Sequence, residues 1–261
     1  MSAEPLLRAE RIEMRFGGLR ALDGVSIELG ARQIVGLIGP NGSGKSTLIN
    51  VLSRIYQPSG GSITFNGLNM ADVPLHGVAG LGISRTFQNV RLFATMTVWQ
   101  NLAVGDTPAL RSGMLSAGLA LPRVRREEQA VTRKVESVAD LLGLRPYLQR
   151  VAGDLPYGLQ KLVELGRALM PDPRLILLDE PVAGMNAADK QALVAALMRI
   201  RQHREVSFLL VEHDMAFVMS LTEYIYVLDF GKVIAQGVPG EVRANPLVIA
   251  AYLGGGGDVD D

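Results

Sequence analysis

Apolar segments rich in β-branched residues alternate with polar turns over the first quarter of the chain. Their patterns predict strands at residues 6–14, 25–29, 33–38 and 62–66. Two later segments, 175–178 and 208–211, are apolar along their whole length and have helical patterns on both sides. Strands that alternate with helices in this way are typical of a parallel sheet covered on both faces. The pattern therefore predicts an α/β fold.

The middle and the end of the chain have different patterns. Residues 98–150 carry long charged faces and predict a helical subdomain, and further helices are predicted at 159–170 and 187–203. A hairpin is predicted from 224 to 235, turning at Asp229-Phe230-Gly231. The last eight residues are glycine followed mainly by acid, a composition that predicts disorder.

Composition then excludes several classes of protein. The 261 residues include 26 basic and 26 acidic side chains and no cysteine. This excludes disulfide frameworks and thiolate chemistry, and the balanced charge gives little support to nucleic-acid binding. The first residues lack the apolar run of a signal peptide, so we expect a cytoplasmic protein. Residues 109–122 are apolar but interrupted by Arg111, and we expect a loop folded onto the domain rather than a membrane insertion.

A phosphate-binding motif directly follows the predicted strand 33–38. The motif is complete, and its residues are Gly39, Pro40, Asn41, Gly42, Ser43, Gly44, Lys45, Ser46 and Thr47. Glycines allow successive N–H groups to face one point, and the helix that follows adds its positive end. Lys45 is placed to reach the β- and γ-phosphates of a nucleotide, and the Ser46 hydroxyl is placed to ligate Mg²⁺.

Two carboxylates end the predicted strand 175–178. Asp179 is positioned to hold Mg²⁺ through water. Glu180 is one residue further along and points the other way, so it is a candidate to polarise a water that attacks the γ-phosphate. A phosphate loop by itself identifies a nucleotide phosphate and not a reaction. The pair of carboxylates favours hydrolysis.

The order of motifs resembles the nucleotide-binding subunit of ABC transporters. Residues 85–88 look like the Q-loop and 155–160 like the signature motif. Residues 183–186 look like the D-loop, and Glu212-His213-Asp214 looks like the segment with the switch histidine. The resemblance covers roughly residues 7–253. It implies an α/β phosphate-loop NTPase core of ABC type with an antiparallel β-subdomain and a helical subdomain.

The resemblance also implies roles for individual residues. Phe16 is expected against the adenine ring, Gln88 near Mg²⁺ and the attacking water, and His213 against the γ-phosphate. Tyr157 and Gly158 are expected to contact the ATP held by an opposite subunit, so that two subunits close head to tail around two MgATP. Within the single domain, the implied lobes are 1–88 with 166–236 as the core, 89–165 as the helical lobe, and 237–261 as a helix and acidic tail.

Finer similarity is to the ATP-binding subunit of importers for branched-chain amino acids. The segments that carry it are 85–93, 96–102, 212–219 and 245–254. The implied partners are a second ATP-binding subunit, two membrane permease subunits and, indirectly, a substrate-binding protein, with no nucleic acid. The implied location is the cytoplasmic face of the membrane, with Arg91, Leu92 and Phe93 in the groove that receives a permease helix.

Some residues depart from the family pattern, and other functions stay open. Pro156 stands where the signature motif usually has serine, Leu159 stands where glutamine is common, and Met185-Asn186 replaces the frequent Leu-Asp. The alternatives are an ATPase for lipopolysaccharide or lipid export, a non-transport ABC protein acting on ribosomes or DNA ends, and a metabolic kinase with a phosphate loop. A kinase would lack the motif around Gly158.

Overall fold

A computed structural model describes residues 4–74, 77–86, 92–106 and 122–254. The predictions for Gln88, Arg91, residues 109–121 and the acidic tail 255–261 lie outside the described residues. The strands are β1 Leu7–Phe16, β2 Leu19–Leu29, β3 Ile34–Ile38, β4 Gly60–Phe65, β5 Leu68–Asn69, β6 Ile83–Arg85, β7 Leu175–Asp179, β8 Ser207–Val211, β9 Tyr224–Asp229 and β10 Lys232–Gly237. The α-helices are α1 Lys45–Leu52, α2 Val98–Gly105, α3 Pro122–Leu142, α4 Tyr157–Leu169, α5 Ala187–His203, α6 Met215–Leu221, α7 Pro239–Ala244 and α8 Pro246–Gly254.

The central sheet has six strands in the order β10-β9-β3-β8-β7-β6. Neighbouring strands from β9 to β6 are parallel, and β10 pairs antiparallel with β9. Every residue of β3, β7 and β8 is buried. Full burial explains why these strands are apolar along their whole length, and it confirms the α/β fold that the pattern predicts.

A second sheet is antiparallel, with the strand order β2-β1-β4-β5. Its buried side chains, such as Leu7 and Ile12, share one core with α1 and with central-sheet residues such as Leu37. The Tyr226 hydroxyl ties the sheets together, because it accepts the Glu28 N–H at 2.9 Å and lies 3.2 Å from the Glu28 carbonyl. The predicted strand at 25–29 is the second half of a longer β2, which starts at Leu19.

Two compact units are distinguished by their internal contacts. The first comprises the described residues of Met1–Arg85, Arg174–Val182 and Glu205–Asp261, and the second those of Thr86–Pro173 and Ala183–Arg204. Residues 166–173 and α5 thus belong to the second unit. The lobes implied by the family resemblance instead assign them to the core. The lobe boundaries remain a prediction, since contact density does not define function.

Helix ends account for the small differences from the sequence-based prediction. The helix expected at 159–170 is α4, which starts two residues earlier, at Tyr157, directly after Pro156 at the N-cap position. The helix expected at 187–203 is α5 as predicted, and the Asn186 side chain caps it by accepting the Asp189 N–H. Among the described residues, each helix is either too short or too polar to span a bilayer.

Candidate functional site

Three adjacent parallel strands end at the same edge of the central sheet. Leu37 of β3 and Asp179 of β7 both pair with Val211 of β8, so the three carboxyl ends lie level. The phosphate loop follows β3, His213 follows β8 within two residues, and Glu180 follows β7 directly. Ligands bind outside the carboxyl ends of strands in open α/β sheets. Strand order therefore gathers segments that are far apart in the sequence.

A cavity of about 460 Å³ opens at this edge. It is lined by Phe16, Leu19, Arg20, Ala21, Asn41, Gly42, Ser43, Gly44, Lys45, Ser46, Thr47, Glu180, Phe230 and Gly231. Most of the lining consists of residues that the motifs predict for a nucleotide site. The exceptions are Leu19, Arg20 and Ala21 of β2 and the turn residues Phe230 and Gly231, which no motif indicates.

Close packing requires glycine at two positions of the phosphate loop. At Gly39, which has φ 152°, a Cβ atom would stand 2.0 Å from the Leu228 carbonyl oxygen. At Gly44, with φ 106°, it would stand 2.8 Å from the Ala21 carbonyl oxygen. Gly44 precedes α1, and no side chain caps that helix. The first N–H groups of α1 are therefore left to a ligand in the cavity.

Lys45 is a buried cation at the start of α1. Its Nζ donates hydrogen bonds of 2.7 Å to the carbonyl oxygens of Gly39 and Pro40. Burial lowers the pKa of the Lys45 ammonium, and the charges of Glu180 and Asp179 oppose that effect. A buried ammonium held by neutral carbonyls is poorly compensated, so an anion in the cavity would bind it favourably.

The loop fits a phosphate group and a hydrated Mg²⁺. The Ser43 hydroxyl is buried and makes no hydrogen bond with the described residues, as expected of a donor reserved for a ligand. Ser46 is exposed toward the cavity that it lines. No group of three metal-ligating side chains occurs among the described residues. Mg²⁺ in nucleotide sites needs none, because it keeps several waters and binds one or two protein groups plus phosphate oxygens.

Asp179 has a protein partner that the sequence analysis did not identify. Arg85 of β6 donates from Nη2 to Asp179 Oδ2 at 2.9 Å. The same guanidinium donates from Nη1 to Asn50 Oδ1 of α1 at 2.6 Å. Both charged side chains are nearly buried, with exposures of 12% and 10%. Asp179 is thus held in one orientation and linked to the helix that carries Ser46.

Glu180, His213 and Glu212 form a cluster beside the phosphate loop. The His213 Nδ1 atom lies 4.0 Å from Glu180 Oε2 and 3.8 Å from Glu212 Oε2. Glu180 is 20% exposed and lines the cavity, and its backbone has φ 46°. His213 is 59% exposed, so its imidazole can reach a ligand. The structure brings together two of the three predicted catalytic side chains, and the third, Gln88, lies outside the described residues.

Glu212 was not a predicted site residue, yet it orders the loops on both sides of the cluster. Its carboxylate is fully buried and accepts the Val182 N–H at 2.9 Å and the His213 N–H at 3.1 Å. Burial raises the pKa of Glu212, and the N–H groups of Val182, His213 and Asp214 partly oppose this. The signal in the sequence that could have identified Glu212 is its position as an acidic residue directly after a fully apolar strand.

Phe16 stands at the end of β1 on the wall of the cavity. Its ring is 42% exposed and contacts Tyr56 edge to face, with the ring centroids 5.4 Å apart. Tyr56 thus supports one side of the ring, while the exposed part faces the cavity. This arrangement suits stacking on a base.

The signature residues lie in the second unit, at the start of α4. The Tyr157 hydroxyl donates to the Ala183 carbonyl at 3.2 Å, so the signature and D-loop segments contact each other. At Gly158 a Cβ atom would meet the Asp189 carboxyl group at 2.4 Å. A side chain at position 158 would have to displace the Asp189 side chain on the first turn of α5, which favours glycine here.

An open apolar groove also lies in the second unit. It is lined by Leu92, Phe93, Val104, Gly105 and Arg167. Phe93 is 45% exposed, and the Arg167 guanidinium lies 5.8 Å from its ring centroid. The fully buried Asn101 holds the segment in place, since its amide exchanges hydrogen bonds of 2.9 and 3.0 Å with the Phe93 backbone.

Known protein families and relatives match most of this chain. The ABC transporter family model matches residues 22–183, and the model described as branched-chain amino acid ATP-binding cassette transporter matches 232–258. The LivG protein of Salmonella typhimurium, described as a high-affinity branched-chain amino acid transport ATP-binding protein, is 41% identical over 97% of this chain and 99% of its own length. BraF of Pseudomonas aeruginosa, with the same description, is 40% identical with the same coverage.

Solved structures show the same fold. An ATP-binding cassette of an ABC transporter in its ADP conformation has a TM-score of 0.84 and 33% identity, covering 97% of this chain and 100% of that one. A nucleotide-free cassette has a TM-score of 0.82 and 33% identity, covering 95% and 99%. Because similarity of this level extends over nearly the whole chain and includes the phosphate loop, the chain belongs to the ABC transporter family and is an ATPase of that family.

Proposed function

We propose that this chain is the ATP-hydrolysing subunit of an importer for branched-chain or other hydrophobic amino acids. The observation that carries the proposal is the placement of Glu180 on the wall of the phosphate-loop cavity, beside Lys45 and His213. The substrate class rests on similarity to LivG and BraF along 97% of the chain. The alternative of lipid export has no comparable support.

Lys45 and the first turn of α1 are proposed to bind the β- and γ-phosphates. In the proposed complex the Lys45 ammonium exchanges its two carbonyl partners for phosphate oxygens. The Ser43 hydroxyl and the N–H groups that follow Gly44 add further donors on the same side. Phe16 stacks on the adenine ring, which contributes ~1–3 kcal/mol.

Ser46, and Asp179 through water, are the proposed Mg²⁺ ligands. When bound, Mg²⁺ neutralises charge on the phosphate oxygens of the substrate. Arg85 holds the Asp179 carboxylate in one orientation through its 2.9 Å ion pair. The role of Gln88 as a further ligand remains a prediction.

Glu180 is the proposed general base for hydrolysis. Its carboxylate accepts a proton from the water whose oxygen bonds to the γ-phosphorus while the bond from that phosphorus to the β,γ-bridging oxygen breaks. The His213 imidazole donates a hydrogen bond to the γ-phosphate oxygens. The buried Glu212 holds the backbone of His213, and so it is a positioning residue.

We further propose that this chain forms a head-to-tail dimer, either with a second copy of itself or with a similar ATP-binding subunit. Tyr157 and Gly158 at the start of α4 then contribute N–H groups to the ATP bound by the opposite subunit. The proposed partners in the membrane are two permease subunits, one of which places a cytoplasmic helix in the groove beside Phe93 and Arg167. The site of action is the cytoplasmic face of the membrane.

Reconstitution with the cognate permeases and binding protein tests this proposal. Vesicles that contain the wild-type chain should accumulate labelled leucine when MgATP is present, and Glu180→Gln should abolish accumulation. Labelled lysine, whose side chain is charged, serves as the control substrate. ATP hydrolysis without leucine uptake would keep the ATPase assignment and contradict the proposed substrate class.

A further inference from the structure

The tip of the β9–β10 hairpin carries a residue that the local backbone disfavours. Asp229 pairs with Lys232, which leaves a two-residue turn of Phe230 and Gly231. Both have positive φ, 41° and 74°. Turns of this type prefer asparagine or glycine at both positions, because a Cβ atom is strained there and a bulky side chain more so. Turn formation therefore does not explain phenylalanine at position 230.

Packing within the chain does not explain Phe230 either. Its side chain is 85% exposed, the highest value among the large apolar residues in the part of the chain that the structure describes. At position 230, therefore, neither the backbone conformation nor burial of the side chain lets phenylalanine stabilise the fold. Strain that persists at a cavity wall is a recognised sign of function.

The hairpin tip is fixed relative to the phosphate loop. The Gly231 N–H donates to the Ser43 carbonyl at 2.9 Å, and the Gly231 carbonyl accepts the Asp23 N–H at 2.8 Å. A Cβ atom at Gly231 would stand 2.7 Å from the Ala21 carbonyl oxygen, so the tip lies directly against β2. The backbone next to Phe230 is thus fixed between the phosphate loop and strand β2.

Phe230 and Phe16 line one cavity together with the phosphate loop. We propose that Phe230 is a second aromatic contact for the nucleoside part of a bound purine nucleotide, in addition to Phe16. The inference rests on the proposed function of the cavity as a nucleotide site. An aromatic ring at a fixed distance from the phosphates contacts the base or ribose at little entropic cost, because its backbone is already ordered.

Comparing the binding of ADP and of pyrophosphate to the full-length chain separates the Phe230 contact from phosphate binding. Phe230→Asn is the test variant, because asparagine suits the turn. Leu68→Asn is the matched control, since Leu68 is also exposed, at 51%, and lies outside the cavity. Binding of ADP is measured by calorimetry, and binding of pyrophosphate by displacement of labelled ADP.

Phe230→Asn should weaken ADP binding at least about fivefold, the equivalent of ~1 kcal/mol of stacking. The affinity for pyrophosphate should stay unchanged, and so should both affinities of Leu68→Asn. The melting temperature of Phe230→Asn should equal or exceed that of the wild type, because the turn is relieved of strain. Equal weakening of ADP and pyrophosphate, or no weakening of either, would overturn the proposal.

Labelling with ¹³C-phenylalanine gives a direct readout. The resonance that disappears in Phe230→Asn identifies Phe230, and it should shift when ADP is added but not when pyrophosphate is added. The same response to both ligands would also overturn the nucleoside contact. A wild-type chain that binds neither ADP nor pyrophosphate would instead refute the proposed function, so the two failures are distinguishable.

Discussion

Arg85 and Asp179 form a nearly buried ion pair, with 2.9 Å between Nη2 and Oδ2, that joins the edge strand β6 to the end of β7. Arg85 simultaneously contacts Asn50, one helical turn beyond Ser46 on α1. Residues four apart lie on the same helix face. The guanidinium therefore links Ser46 and Asp179, two of the proposed Mg²⁺ ligands, through protein contacts.

Arg85→Gln should destabilise the fold by about 3–5 kcal/mol, because it leaves the Asp179 carboxylate buried without its cation. Chemical denaturation measures the loss. Arg174→Gln is the control, since Arg174 is exposed and bonds Asn66 at 2.8 Å. Arg174→Gln should lower the free energy of unfolding by less than about 1 kcal/mol. Equal losses in the two variants would contradict the importance of the buried pair.

Glu180→Gln should retain ATP binding and lose steady-state hydrolysis, because a carboxamide cannot accept the proton of the attacking water. The loss should be about 10²-fold or more. Phosphate release measures turnover, and light scattering should detect accumulated ATP-bound dimers. Glu10→Gln, an exposed change on β1, is the control. Hydrolysis at the wild-type rate would remove Glu180 from the mechanism.

Lys45→Ala should abolish both ATP binding and hydrolysis, since it removes the buried cation that faces the phosphates. Calorimetry measures the affinity. Lys232→Ala is the control, because Lys232 is 63% exposed and pairs with Asp23. Wild-type affinity in Lys45→Ala would show that the phosphates bind elsewhere.

Glu212 should make stability fall as pH rises. Burial raises its pKa in the folded state above the ordinary value of 4.5, so the folded chain binds more protons than the unfolded chain between those two values. The sign is therefore opposite to that of a salt-bridged carboxylate. Between pH 4.5 and the folded-state pKa, the wild type should lose stability relative to Glu212→Gln.

Melting temperatures of both proteins at pH 5 and pH 7.5 check this prediction. The melting temperature of Glu212→Gln minus that of the wild type should be larger at pH 7.5 than at pH 5. A constant difference would mean that Glu212 does not titrate in this window. A shift in favour of the wild type would mean that its pKa is lowered.

Pro156→Ser should have two effects. No side chain caps α4, so a serine hydroxyl at that position should add about 0.5–2 kcal/mol of stability, measured by denaturation. On the Glu180→Gln background it should also shift dimer formation to lower ATP concentration, because it restores a donor for the opposite γ-phosphate. A gained hydrogen bond to a charged group is worth about 1.5–3 kcal/mol. Dimerisation at unchanged or higher ATP concentration would show that the proline is neutral or beneficial.

Elements that depend on neighbouring residues alone can be predicted from the sequence. The phosphate loop was predictable because nine consecutive residues, Gly39–Thr47, contain both the glycines that the backbone needs and the side chains that the chemistry needs. Asp179 and Glu180 were identified for the same reason, as neighbours after a fully apolar strand. The α/β class followed from apolar runs that only a doubly covered sheet can bury.

Contacts between segments that are distant in the chain follow from the tertiary fold and could not be predicted from local patterns. The order β3-β8-β7 makes neighbours of the phosphate loop, His213 and Glu180, and no local pattern specifies that order. The partners of Asp179 and Glu212, namely Arg85 and Val182, lie 94 and 30 residues away in the chain. The sequence indicates only that Phe230 belongs to a predicted hairpin turn. Its positive φ and its place on the cavity wall depend on Ser43 and Asp23, because pairing across the fold, and not local propensity, sets where a turn residue points.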